Sequence, residues 1–350
     1  MRHQNSVMHQ ISKLIPWDRF AASVDNHEAD RCVRRLSTKS QFIALTYGQL
    51  SGASSLREIE TTMASHEARL YHLGATAPKR STLADANAQR PAAVFAELFS
   101  DLLKQVHPGL RKHAGEAVRL IDASRVTLNS LSRGWAHYDA TCDGMKLHVV
   151  YDPDAAVPIY FAVSPAREND MVQAEQMPLE AGATYVFDLG YYSFLWWHRL
   201  DASGCRFVTR LRKNSPTRVI EERAVPKGGN IVVDRVVRVR GRLQHTRKNP
   251  LAQIDLREVH VINDTGKRLR LVTNDLTSSA EEIANLYKAR WEVELFFRWI
   301  KQTLKIRKFL GTSENAVRIQ IAVALIAYLL LRMVHASQAA VASLLTFAPV

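Results

Sequence analysis

The stretch YKARWEVELFFRWIK, residues 287–301, carries the densest candidate chemistry in the chain. A helix turns about 100° per residue, so Arg290, Glu294 and Lys301 fall about 300°, 340° and 320° around from Tyr287. The four polar side chains therefore share an arc of about 60°. Val293, Leu295, Phe296, Phe297 and Ile300 fill most of the remaining circumference. Such a helix is gripped by apolar packing and presents one polar line. A glutamate between an arginine and a lysine on that line stays ionised. The plainer alternative is an exposed i, i+4 pair of Arg290 with Glu294; the flanking aromatics weigh against it.

Two more carboxylates complete the chemistry. Asp122 closes the apolar run AVRLID, and Asp188 closes ATYVFD. Acids at the ends of neighbouring strands point at one spot, and a helix packed across the sheet brings Glu294 to it. Three converging carboxylates repel one another unless cations intervene. Hard oxygen donors select Mg²⁺, with Mn²⁺ as a substitute. Two such ions about 4 Å apart activate a water or a 3′-hydroxyl and stabilise the leaving oxygen of a phosphodiester. A lone strand-end aspartate is more often a cap or turn residue, so the expectation rests on the combination.

The bulk properties agree with a polyanionic partner. The chain has 350 residues and a net charge of +13, with a pI near 9.8. That balance points to nucleic acid. Residues 205–270 hold 17 Lys or Arg against 6 Asp or Glu, most of the excess. Arg238, Arg240 and Arg242 alternate onto one face of a strand suited to tracking a phosphate backbone; a charged edge strand guarded against pairing is the alternative. Cys32, Cys142 and Cys205 are too scattered for a usual zinc site or a disulfide framework, which fits a reducing cytosol. The first twenty residues lack the apolar core of a signal peptide. The longest apolar run, IAVALIAYLLL at 321–331, is too short to span a bilayer and reads as a buried helix. There is no H-E-x-x-H, G-x-S-x-G or P-loop, which removes the usual peptidase, esterase and NTPase readings.

The elements that must position these residues follow from pattern. Residues 1–112 read as helical, with serine or threonine cap candidates before STKSQFIALTYGQL, SSLREIETTMASH and STLADANAQRPAAVFAELFSDLLKQV. A helix-turn-helix over 55–90, with the helix after Ser81 as reader, is one way for this region to meet DNA. From about 113 the texture changes to strand candidates MKLHVVYD and VPIYFAVSPA, a helical NDMVQAEQMPL, the strand ATYVFD, a helical GYYSFLWWHRLDASG and the strand CRFVTRLR. That order gives an α/β fold, a mixed sheet covered by helices. Residues 205–275 alternate in period two and read as a basic, β-rich insertion, and the chain turns helical again from Ser278.

These residues carry a resemblance. Tyr287-x2-Arg290-x3-Glu294-x6-Lys301 is similar to the Y-x2-R-x3-E-x6-K signature of a large branch of bacterial insertion-sequence DDE transposases, complete in residue type and spacing. LIDASRV around Asp122 and VFDLGYYS around Asp188 resemble that family's two aspartate motifs, and MKLHVVYD resembles its K-x-H-x-x-x-D stretch. The resemblance implies a ribonuclease-H-like catalytic domain over 113–350, interrupted by the β-rich insertion at about 205–275, behind an N-terminal helical, DNA-binding domain at 1–112. It implies Asp122, Asp188 and Glu294 as metal-binding catalytic carboxylates. It implies DNA contacts by Tyr287, Arg290, Lys301 and Lys146, beside Arg238, Arg240 and Arg242. The implied reaction is Mg²⁺-dependent cutting at terminal inverted repeats of double-stranded DNA and joining of the freed 3′ ends to target DNA, by a homodimer in the bacterial cytoplasm at the nucleoid. Trp196, Trp291 and Trp299 are candidates to stack on an extruded base, with core packing the plainer role for each. The alternative function is a truncated, catalytically impaired DNA-binding inhibitor of transposition, because similar proteins continue past LLTFAPV; the three carboxylates favour the enzyme.

Overall fold

The computed structural model describes residues 7–111, 116–128, 132, 135, 144–225, 228–240, 249–304 and 309–337. Local rules account for the N-terminal helices α1 (Val7–Ser12), α2 (Trp17–Asn26), α3 (Thr38–Ser51), α4 (Leu56–Ser65), α5 (Glu67–Leu70), α6 (Arg80–Gln89) and α7 (Ala93–Leu110). Ser37 caps α3 by accepting from the Ser40 amide, and Ser55 caps α4 by accepting from the Glu58 amide. Glu58 answers by accepting from the Ser54 amide at 2.7 Å, so two serines share a capping-box arrangement. The expected single helix after Ser81 is instead two. Pro91 forces Arg90 into extended backbone, which separates α6 from α7, and α6 begins before Ser81, at Arg80.

The sheet comprises β1 (Val118–Thr127), β2 (Gly144–Asp152), β3 (Val157–Pro165), β4 (Thr184–Val186), β5 (Arg206–Arg210), β6 (Thr217–Glu222), β7 (Ile231–Val239), β8 (Leu256–Ile262) and β9 (Arg268–Thr273). Helix α8 (Asp170–Ala174) precedes β4, and α9 (Phe194–Ala202) links β4 to β5. The strand order is β3-β2-β1-β4-β5-β9-β8-β7-β6. β1, β2 and β3 form an antiparallel meander, while β4 runs parallel to β1 and β5 parallel to β4. These five strands have the ribonuclease-H-like arrangement. The β-rich insertion does not stand apart from it: β9 pairs antiparallel with β5, and β8, β7 and β6 extend the same sheet.

Alternate strand residues serve two cores, as the period of two requires. Leu120, Val186 and Val208 face one, shared with the N-terminal helices and with α10 (Ala280–Ala289), α11 (Trp291–Thr303) and α12 (Glu314–Ser337). Ile121, Tyr185 and Phe207 face the other, filled by Trp196 and Trp197 of α9. The apolar run 321–331 lies inside α12. Its Glu314–Ala336 portion is long and apolar enough to cross a membrane, with 78% of its most apolar window buried inside this protein. A polar clasp joins the N-terminal helices to the sheet: Asp152 accepts from Arg119 at 2.7 Å and pairs with His107 of α7 at 2.8 Å.

Many basic residues of the insertion are consumed by its own ladder. Glu258, fully buried on β8, meets Arg270 at 2.7 Å, His260 at 2.6 Å and Arg235 at 3.2 Å. Arg257 pairs with buried Asp234 at 2.7 Å. Burial alone would raise the Glu258 carboxyl, but hydrogen bonds from His260 and Arg270 and the charges of Arg270 and Arg235 bring it from 4.5 down to about 2. The folded value is the depressed one, so this stabilisation is complete above about pH 4.5 and is lost as pH falls towards 2. Glu258→Gln is expected to cost about 3–5 kcal/mol at neutral pH by stranding buried cations. It should also flatten the loss of stability between pH 4.5 and 2, read from urea midpoints across that window.

Candidate active site

Asp122 lies in mid-strand, not at a strand end. β1 continues for five residues beyond it, because ASRVT keeps pairing with β2 as far as Thr127 with Gly144. Asp122 therefore shares a face with Leu120 and Ser124, the face that α11 covers through Val293, Phe296, Phe297 and Ile300. Asp188 comes two residues after β4 ends at Val186. Its Oδ1 accepts from the Gly190 amide at 2.7 Å, which opens a short 3₁₀ turn over Leu189–Tyr191. A Cβ added at Gly190 would sit 2.9 Å from that oxygen, so the close approach needs glycine. Glu294 stands in the first turn of α11, where the helix dipole favours negative charge.

The helix expected through 287–301 is interrupted once. α10 ends at Ala289 and α11 begins at Trp291. At the junction the amide of Arg290 donates to Tyr287 O and that of Val293 to Arg290 O, both at 3.3 Å. These are the i to i+3 bonds of a tightened turn. The polar line survives, since Arg290 keeps right-handed helical dihedrals. Its Nη2 donates to Glu294 Oε1 at 2.5 Å, and its Nη1 lies 3.7 Å from Asp122 Oδ2. The Tyr287 ring is 5.9 Å from the guanidinium. Lys301 Nζ donates to Ser124 Oγ at 2.6 Å. The structure thus brings Arg290, Glu294 and Lys301 to the β1 face, with Tyr287 beside Arg290.

The electrostatics mark this as a strained cluster of charge. Burial, with the negative charges of Asp188 and Glu294, pushes the Asp122 carboxyl from 3.8 up to about 6, against the pull of the Ala123 amide and of Arg290. Burial works against the Arg290 cation, but Tyr287, Asp122 and Glu294 more than offset it and hold its pKa above the ordinary value. Tyr287 is raised chiefly by burial, opposed by Arg210 and Arg290. Among the described residues, no group of three His, Cys, Asp or Glu side chains is gathered tightly enough to hold a metal ion. Arg290 supplies the positive charge between Asp122 and Glu294. The donor set still fits a hard divalent cation: three carboxylates, one of them raised by burial and by the other two.

The other expected contacts distribute differently. Lys146 Nζ, largely buried, donates to Asp170 Oδ1 at 2.7 Å and to Glu168 O at 2.6 Å, beside the Asp188 turn. Its strand neighbour His148 pairs with Ser164 Oγ at 2.8 Å, and burial drops it to about 4, so it is neutral. Arg238 is half-exposed and paired with Asp255 at 2.6 Å. Arg240 joins a cleft of about 550 Å³ with Tyr192, Phe194, Arg212, Lys213 and Ser215; the Arg212 guanidinium stacks 4.3 Å over the Tyr192 ring. Arg242 lies outside the described residues. Trp196 is 2% exposed and packs on Phe187, and Trp299 packs on Tyr328, so both are core residues. Trp291 is 52% exposed beside Arg290.

Sequence reasoning did not single out Ser124, Arg210, Asp170 or the Tyr192–Arg212 cleft. Ser124 was within reach, two residues from Asp122 on one strand face. The others reach the site from separate elements and left no spacing to read.

With this geometry in hand, comparison with known proteins is decisive. Residues 113–330 match the family described as the transposase DDE domain. The chain belongs to the DDE transposase family. Residues 3–76 match a domain of unknown function, DUF4372. The chain is 41% identical over 259 residues to a putative transposase of Sinorhizobium fredii, covering 73% of this chain and 71% of that one. It is 30% identical over 245 residues to a probable transposase for insertion sequence element IS5377 of Geobacillus stearothermophilus, covering 69% and 62%. The piggyBac transposase synaptic complex with hairpin DNA covers 94% of this chain and 76% of that one, at a TM-score of 0.46 and 12% identity.

Arg290→Gln should raise the Asp122 titration further above about 6, because it removes the nearby cation that favours the charged form. Carboxyl-carbon NMR of the aspartates reads this directly; an unmoved resonance would separate Arg290 from Asp122.

Proposed function

We propose that this transposase cuts DNA at the terminal inverted repeats of its insertion sequence and joins the freed 3′ ends to target DNA by two-metal phosphodiester chemistry. The observation that carries the reading is that Asp122, from mid-strand, and Glu294, from a helix start, share one arginine, while the charge of Asp188, from a post-strand turn, reaches Asp122. Asp122, Asp188 and Glu294 would hold Mg²⁺, with Mn²⁺ able to replace it. Bound there, the ions would supply an activated oxygen nucleophile and charge stabilisation for the leaving oxygen.

The chain's own residues do the rest. Arg290, released from its carboxylates, pairs with the phosphate beside the scissile bond through its planar fork. Lys301 stands over Ser124 on the same strand face and adds a second cation. Tyr287 backs the Arg290 guanidinium. Arg212, Lys213 and Arg240 line a cleft that, among the described residues, has no acidic side chain in its lining, next to the Asp188 turn, and receive the DNA backbone there. The N-terminal helices add duplex contacts, and two copies act together, one at each end of the element. The reaction takes place in the bacterial cytoplasm, at the nucleoid.

Labelled DNA carrying the element's own terminal repeats tests the chemistry. Mg²⁺-dependent cutting should fall by at least about 100-fold in Glu294→Gln and in Asp188→Ala, with Ca²⁺ unable to support it and DNA binding retained. Loss of binding together with cutting would remove the metal-ligand role; binding without cutting by the unmutated protein would favour the inhibitor. A salt titration separates the basic residues. Arg240→Ala should lower the slope of log affinity against log salt by about 1, while Arg238→Ala, whose guanidinium is already paired with Asp255, should leave it nearly unchanged.

A further inference from the structure

Lys146 begins a run of direct contacts that leads to Asp188. It lies on β2, and its side chain is 13% exposed. Its ammonium donates to Asp170 Oδ1 at 2.7 Å and to Glu168 O at 2.6 Å, so two of its three donors grip one short segment. That segment leads from β3 into α8, where Ala174 is buried in the core of Tyr185 and Phe207. The second Asp170 oxygen, Oδ2, borders Gly190: a Cβ added to that glycine would lie 3.4 Å from it and 2.9 Å from Asp188 Oδ1. The Gly190 amide donates to Asp188 Oδ1 at 2.7 Å. The run therefore reaches from β2 to the turn after β4, two strands that are not neighbours in the sheet.

A phosphate contact is built differently. A lysine that meets a DNA backbone keeps its charged head in water at the end of a flexible stem. Here the head is drawn in and held by two acceptors. Asp170 is also a carboxylate placed beside a cluster that already repels itself. Paired with Lys146 it adds little net charge there, so it can brace the turn without deepening the repulsion. Asp188 Oδ1 is held by the Gly190 amide, so the seat of the Leu189–Tyr191 turn sets where Oδ2 points.

We propose that Lys146, acting through Asp170, is a positioning residue that seats the Asp188 turn and so aims that carboxylate at the divalent cation. The proposal rests on the carboxylate reading above. It takes Lys146 out of the DNA contacts that the family resemblance implied and places it behind the metal site. Side chains that orient a metal ligand commonly contribute 10- to 100-fold in metal affinity.

The test is Mn²⁺ binding to the full chain, followed by electron paramagnetic resonance, for the unmutated protein, Lys146→Met, Asp170→Ala, their double variant and Asp188→Ala. Lys146→Met and Asp170→Ala should each weaken Mn²⁺ binding by about tenfold or more, and the double variant should be no worse than the weaker single. The shared sign is the decisive reading, because opposite charges acting only through their fields would shift Mn²⁺ affinity in opposite directions. Asp170→Asn keeps an oxygen for Lys146 and should recover part of the loss seen in Asp170→Ala; this comparison stands even where Lys146→Met does not fold. Without metal, Lys146→Met should leave the slope of log DNA affinity against log salt unchanged. Opposite signs in the two single variants, no recovery in Asp170→Asn, or a slope lowered by about 1 in Lys146→Met would each overturn this inference alone. So would an unchanged affinity in either single variant where Asp188→Ala loses it. Mn²⁺ binding indifferent to Asp188→Ala would overturn the carboxylate reading, and this inference with it.

Discussion

Repulsion among Asp122, Asp188 and Glu294 is the constraint on which the rest of this structure depends. Each carboxylate arrives from a different element, and no local rule brings them together. The cluster exists because apolar packing pulls α11 onto β1 through Val293, Phe296, Phe297 and Ile300. The aromatic contacts of Phe296 with Tyr151 at 5.2 Å and with Tyr328 at 5.1 Å hold that docking in register. The electrostatic cost appears in Asp122, which burial and its neighbours lift to about 6. Arg290 offsets part of it from within the cluster. Under the function proposed above, the same side chain would also pair with the DNA phosphate.

A second balance operates in the insertion. Its charge excess suggested a continuous basic surface, but the fold divides the arginines between two jobs. Arg235, Arg257 and Arg270 are drawn into the ladder by Glu258 and Asp234, which are buried and need cations beside them. Arg212, Lys213 and Arg240 remain around the Tyr192 cleft. Net charge over a segment therefore overstates its binding surface whenever buried acids lie on alternate strand positions. The distinction follows from β7 and β8 being interior strands of a nine-stranded sheet, with faces that must be covered.

The succession of strands and helices along the chain from 117 to 212, the helix caps at Ser37 and Ser55, and the stripe of Tyr287, Arg290, Glu294 and Lys301 were all legible from pattern. So was a buried helix around 321–331. The order of strands within the sheet was not. The break between α6 and α7 was also encoded, in Pro91, but a continuous apolar pattern on both sides concealed it. Asp122 at mid-strand was hidden for a related reason: ASRVT is too polar to read as strand by itself. It is held in β1 by its β2 partners.

What the sequence by itself determined is chemical identity at fixed local spacing: three carboxylates, the signature line around Arg290, period-two strands and a basic excess. These follow from backbone geometry over a few residues. What only the tertiary structure decided is which charges meet. Asp170 beside the Asp188 turn, Ser124 beneath Lys301 and Glu258 among three basic side chains all depend on contacts between distant segments. Those contacts are set by packing of the whole sheet and its helices, because burial and the energy between two charges depend on distance in space and not along the chain.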